Sequence, residues 1–182
     1  DPDIVEQAAS LTAYETRASG IPWNFSPVLA LGRNPSWPRY WETFGEDVYL
    51  AETLGRAMVK GYQGDKLTAD STKVAACMKH YLGYSVPNTG HDRTPAWIPE
   101  RQLREYFLPP FAEAVDAGVK TAMVNSGDIN GIPAHASAFV LKDLLKDELN
   151  FDGLVVSDWM DIRYLHTRHQ VAATQKEAVK MA

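Results

Sequence analysis

The chain has 182 residues, 45% of them apolar and 23% charged, with a formal net charge of −5 at pH 7. That is enough for one domain with a real core, in a composition typical of globular chains. The acidic balance, without a basic stripe or a glycine-rich phosphate loop, gives no electrostatic case for nucleic acid. No apolar run approaches the roughly 20 residues that span a membrane. The single cysteine, Cys77, excludes an intrachain disulfide. It sits in an apolar run, as a buried inert thiol does.

Residues 3 to 18 suit a helix with an apolar stripe of Ile4, Val5, Ala8, Ala9 and Leu11, and Gly20 as its stop. The chain opens inside helix-like sequence, so its start reads as an interior point of a larger protein, and the lack of a leader carries no message about export. Asn24 to Ala30 follows Pro22 and reads as a buried strand made less regular by Pro27. A loop from Gly32 to Asp47 is rich in aromatic and charged side chains, including Trp37, Arg39, Tyr40, Trp41, Glu42 and Glu46. Val48 to Lys60 reads as a second helix, with Leu50, Leu54, Met58 and Val59 on its apolar face and Gly61 as its stop. Residues 63 to 73 form a polar connection. Val74 to Met78 is a second buried strand, ending in Lys79 and His80. The loop from Tyr81 to about Ile98 is longer than a structural connection needs, which points to function or mobility. Pro99 and Glu100 open a helical region. Pro109-Pro110 breaks or kinks it, and a second piece runs to Asp116 and ends near Gly118.

Val119 to Val124 is a third strand, followed by a loop from Asn125 to Ala136. Ser137 is an N-cap for a helix to Leu149, which Asn150 can stop in a left-handed conformation. Asp152-Gly153 supplies turn chemistry. Leu154-Val155-Val156 is too short for a helix and rich in β-branched residues, so it reads as a strand buried on both faces. Residues 160 to 173 read as a loop with Arg163, His166 and His169, and Thr174 to Glu177 fits a capping box that opens a last helix. Strand, loop and helix thus recur four times, without hairpin signals or a defensible internal repeat. This alternation implies an α/β fold with a parallel sheet and right-handed crossovers. Four units are about half of a TIM-barrel-like (β/α)8 barrel, and 182 residues fall short of the about 250 a whole one needs.

Each strand ends in polar groups, and in a parallel arrangement these ends converge on one rim. Arg39, Lys79, His80, Asp128 and Asp158 would meet there with several aromatics. Asp158 falls at the carboxyl end of the last strand; capping of the segment that follows is the plain alternative. Trp159 is either core or an apolar platform for a sugar ring. Lys79 follows five apolar residues, so it faces a polar cleft or reaches solvent. Charged partners for hydroxyls and an aromatic platform for a ring face suit a carbohydrate. A salt bridge with Glu42 or Glu46 is the alternative for Arg39, and a turn role before Asn130-Gly131 is the alternative for Asp128. His91-Asp92, beside Arg93 in the long loop, can act as an acid/base pair or touch substrate. Of His80, His91, His135, His166 and His169, only the last two have ligand-like spacing, without supporting cysteines or carboxylates. No metal or other cofactor is expected.

The run from Leu144 to Trp159, with Leu144-Leu145-Lys146, Gly153 and Val155-Val156-Ser157-Asp158-Trp159, resembles the active-site signature of glycoside hydrolase family 3. Asn34 to Asp47 resembles a second segment of that family. The resemblance implies that residues 1–182 are part of a catalytic barrel in a β-glucosidase-like, exo-acting enzyme. That enzyme would hydrolyse terminal non-reducing β-D-glucosyl residues of β-glucosides or oligosaccharides by a retaining mechanism. It implies that Asp158 is the nucleophile and that Arg39, Lys79 and His80 bind the sugar. Met123, Trp159, Arg93 and Asp128 are further candidate substrate contacts. Ser36 and Pro38 stand where arginine and glycine are usual. Ser126 stands where a tyrosine near the nucleophile is common, so orientation of Asp158 is expected from Asn125 or Asp128. Lys79 and Arg39 are the cations expected to keep it ionised. The acid/base, in most of the family a glutamate of a C-terminal α/β sandwich domain, is expected outside this chain, as are the family's first barrel units. The parent protein is expected to be periplasmic or secreted. Two alternatives are a β-N-acetylhexosaminidase that uses a His91–Asp92 dyad, and a sugar-binding half barrel without catalysis.

Overall fold

A computed structural model describes every residue except 66, 68 and 69, which fall inside the expected polar connection and place that part of it outside the described residues. The architecture is a partial barrel of parallel extended segments, backed by helices. Strand β1 (Cys77–Tyr81) pairs in parallel with β2 (Thr121–Val124), and β2 pairs in parallel with β5 (Leu154–Val156). Register joins Cys77 to Thr121 and Thr121 to Leu154. The first expected strand is present only as isolated parallel bridges, Trp23 to Ala75 and Val28 to Lys79. Pro27 has no amide to donate, which is why the pairing is not continuous. Its carbonyl still accepts from the Lys79 amide at 3.0 Å. The second strand lies later than expected, so Lys79 and His80 are inside β1 and not beyond its end.

Helix α1 (Pro2–Ala18) is capped by Asp1, whose carboxylate accepts the Asp3 amide. Its buried face is Ala9 and Ala13, whereas Ile4 and Leu11 of the expected stripe are 63% and 60% exposed. Small side chains face inward because α1 approaches α2 (Val48–Gln63) very closely. A Cβ on Gly61 would lie 2.4 Å from the Glu6 carbonyl oxygen and 2.6 Å from the Ala9 Cβ. Gly61 is therefore a packing glycine inside α2. The helix ends at Gly64, with φ +57°.

The Pro109-Pro110 pair does not break its helix. An α-turn, α3 (Glu100–Gln102), passes into a π-helical stretch, Leu103–Phe107, and then into α4 (Pro109–Asp116). The Leu108 amide donates to the Leu103 carbonyl at 2.9 Å, so the wider turn accommodates prolines that have no amide to give. A second π-helical stretch, Phe139–Glu148, follows Ser137, whose hydroxyl accepts the Val140 amide at 3.3 Å. Asn150 ends it at φ +52°, as its composition predicts.

Three other expectations are corrected. A short antiparallel hairpin joins β3 (Asp128–Ile129) to β4 (Ile132–Pro133). Asn130 and Gly131 both take positive φ, 54° and 83°, as a type I′ turn requires. Residues 161–167 are helix α5 (Asp161–Thr167), not loop. Leu154 is 58% exposed because β5 is an edge of the sheet. The long loop after β1 is tied down: Leu82, Tyr84 and Ser85 are buried, and Ala96 pairs with Ile129. The last helix, α6 (Gln175–Met181), has the expected cap, with the Thr174 hydroxyl accepting the Glu177 amide at 3.2 Å. Among the described residues no helix is long and apolar enough to cross a membrane.

The core lies between the sheet and the helices, through Leu31, Val59, Met78, Tyr81, Phe111, Ala122 and Leu144. Gly61→Val should force α1 off α2 and destabilise the fold by about 1–3 kcal/mol, read as a lower denaturation midpoint. An unchanged midpoint would refute the close-packing role.

Candidate active site

Asp158 stands two residues beyond β5, at the carboxyl end of the sheet. Its side chain is held from several sides. Oδ2 accepts from the Ser126 hydroxyl at 3.1 Å and lies 3.5 Å from His80 Nε2. Oδ1 lies 3.2 Å from Arg93 Nη2 and accepts the Trp159 amide. Ser126 follows β2, His80 is in β1, and Arg93 comes from the long loop. The strand-to-helix connections after β1 and β2 therefore meet on the carboxylate that follows β5.

The open side of Asp158 faces a cleft of about 450 Å³ lined by Phe25, Arg39, Lys79, His80, Met123, Ser157, Trp159 and Met160. That volume suits a small ligand. Trp159 is 77% exposed and stands at its edge as a flat apolar surface. Arg39 is gripped by Glu42 through two bonds of 2.8 Å, and its Nη1 reaches His80 Nε2 at 3.2 Å. The salt bridge weighed as an alternative for Arg39 thus coexists with a place in the cleft.

A guanidinium can only donate, so His80 Nε2 accepts from Arg39 and the ring proton is assigned to Nδ1. Burial, then the charges of Arg39 and Lys79, hold the His80 imidazole neutral, well below its ordinary pKa. Burial pushes the Lys79 ammonium below its usual value, and Arg39 adds to this. Burial alone would raise the Asp158 carboxyl. The Trp159 amide, the Arg93 charge and the Ser126 hydroxyl outweigh it and keep the group below the ordinary carboxylate range. The direct cation is Arg93, not the Arg39 or Lys79 expected from the sequence.

Asp161, one turn further on, behaves oppositely. It is buried, and burial pushes its carboxyl up to about 6. Its Oδ1 accepts from Arg93 at 3.2 Å, and its Oδ2 lies 3.9 Å from His135 Nε2. Burial lowers the His135 imidazole to about 4. Burial also raises the Cys77 thiol to about 11, which leaves it inert.

Of the sequence candidates, Arg39, Lys79, His80, Met123, Asp158 and Trp159 share the cleft. Asp128 does not. Its carboxylate accepts the Gly131 amide at 3.2 Å, as a turn residue, in the hairpin. Asn125 is also occupied elsewhere, bracing the Leu82 carbonyl and the Gly127 amide. The residue on Asp158 is Ser126 itself. His91 is exposed, and Asp92 accepts instead from Trp37 Nε1 at 2.9 Å, so the His91–Asp92 dyad is not assembled. Phe25, Met160 and Asp161 were not singled out in sequence. Only Asp161 carries a signal, as a second carboxylate three residues after Asp158. Among the described residues no cluster of histidine, cysteine and carboxylate groups could hold a metal ion.

The sequence profile described as the glycosyl hydrolase family 3 N-terminal domain matches residues 1–182. A lysosomal beta glucosidase of Dictyostelium discoideum is 50% identical over 180 residues, covering 96% of this chain and 22% of its own length. A beta-xylosidase of Formosa agariphila is 40% identical over 181 residues, covering 98% of this chain and 25% of its own. The crystal structure of a beta-glucosidase from Listeria innocua in complex with glucose superposes with a TM-score of 0.97 at 37% identity, over 100% of this chain and 25% of that one. The chain therefore spans about a quarter of the length of these relatives.

The buried pair beside the cleft makes stability pH-dependent in two directions. His135 falls from 6.5 to about 4 on folding, so its contribution is complete above pH 6.5 and is lost on acidification towards 4. Asp161 rises from 3.8 to about 6, so its cost is felt above pH 6 and relieved below it. Thermal melting across this range should show a shallower acid loss for His135→Gln and a steeper one for Asp161→Asn. Identical slopes in both variants would refute the assignment.

Proposed function

This chain belongs to glycosyl hydrolase family 3, and from that premise we propose that the protein containing it hydrolyses terminal non-reducing β-D-glucosyl residues of β-glucosides and oligosaccharides. The observation that carries this reading is the Asp158 carboxylate lining the cleft, fixed by Ser126, Arg93 and the Trp159 amide. In a retaining mechanism Asp158 attacks the anomeric carbon and forms a glycosyl ester as the bond to the leaving oxygen breaks. That oxygen takes a proton from a second carboxylic acid. The resulting carboxylate then removes a proton from water, which attacks the anomeric carbon and releases Asp158. The second group belongs to a part of the protein outside these residues, about 5 Å from Asp158 when assembled.

Arg39 and Lys79 face the cleft as donors for the sugar hydroxyls, and the neutral His80 adds a ring edge between Arg39 and the nucleophile. Met123 and Trp159 supply apolar surface for the ring face. Arg39 is well suited to this work because Glu42 fixes its plane before any ligand arrives. The depressed pKa of Asp158 keeps the nucleophile charged at neutral and mildly acidic pH.

Treatment of the full-length protein with an activated 2-deoxy-2-fluoro-β-glucoside should attach one fluoroglucosyl group to Asp158, seen by peptide mass spectrometry. Asp158→Asn should lose the label and lower aryl β-glucoside turnover by about 10³-fold or more. A label on another residue would overturn the assignment of the nucleophile. Faster cleavage of aryl β-N-acetylglucosaminide or aryl β-xyloside than of aryl β-glucoside would overturn the choice of sugar. In the same protein Arg39→Met should raise KM for aryl β-glucoside by about 10-fold or more. An unchanged KM would remove Arg39 from the sugar site.

A further inference from the structure

Arg93 lies between β1 and α3, far in sequence from both the β2 and β5 ends, yet its guanidinium bridges the two carboxylates that flank Trp159. Nη2 lies 3.2 Å from Asp158 Oδ1. Nη1 donates to Asp161 Oδ1 at 3.2 Å and to the Trp159 carbonyl at 3.1 Å. Nε lies 3.9 Å from Asp92 Oδ2, and Asp92 is itself anchored by Trp37. The Arg93 backbone takes the left-handed conformation, φ +60°, and its carbonyl accepts from the Arg168 guanidinium. Side chain and backbone are therefore both fixed, by Asp92, by the segment from Asp158 to Asp161 and by Arg168.

The direction of approach separates Arg93 from the other cations. Arg39 and Lys79 line the cleft that Asp158 opens onto; Arg93 does not. It borders a different depression, with Asp128, Arg168 and His169, and reaches Asp158 from behind. Asp161 supplies the reason for its rigidity. It is only 2% exposed, and a carboxylate so buried is costly unless a cation meets it. Breaking that contact would leave buried charge without a partner, so Arg93 has little freedom to follow a ligand.

Resting on the reading of Asp158 as nucleophile, we propose that Arg93, braced by Asp161 and Asp92, is a positioning residue for that nucleophile and not a sugar-binding one. With the Trp159 amide it holds Oδ1, so that Oδ2, which accepts only the Ser126 hydroxyl and lies on the His80 side, is the oxygen that attacks. A forked guanidinium suits this task because one plane serves two carboxylates at once; a lysine ammonium is a single point charge.

The test uses the full-length protein and the activated 2-fluoroglucoside, whose good leaving group makes labelling report on the nucleophile alone. The rate constant of labelling at saturation and the dissociation constant of the reagent are measured separately. Arg93→Met should slow labelling by about 10- to 100-fold, the scale of a nucleophile displaced by about 1 Å, while the dissociation constants of the reagent and of glucose stay within about twofold of wild type. Arg93→Lys should fall between them, and added guanidinium ion should partly restore Arg93→Ala. A weakened dissociation constant with an unchanged rate constant would make Arg93 a sugar ligand and overturn the proposal, as would no change in either. Should Arg93→Met fail to fold, Asp161→Asn, which keeps an oxygen acceptor, should label faster than Asp161→Ala; equal rates would overturn the proposal. Wild-type protein that takes no label on Asp158 would instead overturn the nucleophile reading, and this proposal with it. That result is distinct from a labelled wild type with unaffected variants.

Discussion

Parallel pairing of β2 with β1 on one side and β5 on the other sets the height of Lys79, His80, Met123 and Asp158 in the cleft. Met123 is in register with Val156, so Ser126 and Asp158 emerge from neighbouring strand ends at nearly the same level. The 3.1 Å hydrogen bond between them depends on that level. A slip of one residue would move one strand by about 3.3 Å and turn its side chains to the opposite face. The same register carries Lys79 and His80 to the rim from β1. The buried residues beneath, among them Met78, Ala122 and Leu144, hold the register in place.

On that frame the charges are arranged so that two aspartates three residues apart behave differently. Asp158 is met by a cation, a hydroxyl and an amide and stays ionised. Asp161 is more deeply buried, shares the same arginine, and is pushed up to about 6. Environments that separate two carboxyls in this way give each a different task. His80 completes the pattern. Surrounded by Arg39 and Lys79 and shielded from water, it remains neutral and can lie against Arg39 without repulsion.

The chain as a whole is acidic, but Arg39 and Lys79 line the cleft beside the Asp158 carboxylate, and Arg93 meets that carboxylate from outside the cleft. Overall charge therefore says little about the ligand, whereas local charge says a good deal. Glu42, Asp92 and Asp161 balance these cations from outside the cleft or behind it, which offsets much of the desolvation cost of bringing them together. The aromatic residues Trp37, Tyr84 and His80 pack against one another beneath Arg39, so the cationic side rests on a rigid floor.

Local chemistry was enough to read the alternation of strands and helices, the stop at Asn150, the caps at Ser137 and Thr174, and the position of Asp158 past a β-branched run. Each depends on neighbours within a few residues, where dihedral preference and side-chain period act directly. The sequence suggests the Asn130-Gly131 turn but not the strand pairing around it, nor helix α5, because both elements are short. The wider turn ahead of Pro109 and the alanine face of α1 answer to packing and could be settled only in three dimensions. The pairing of Arg93 with Asp158 and Asp161 belongs to the same class. Sequence separations of 65 and 68 residues divide these charges, and no periodicity links them. Only the folded sheet brings them within 3.2 Å, because Coulombic and hydrogen-bond partners are chosen by distance in space, which a linear pattern does not contain.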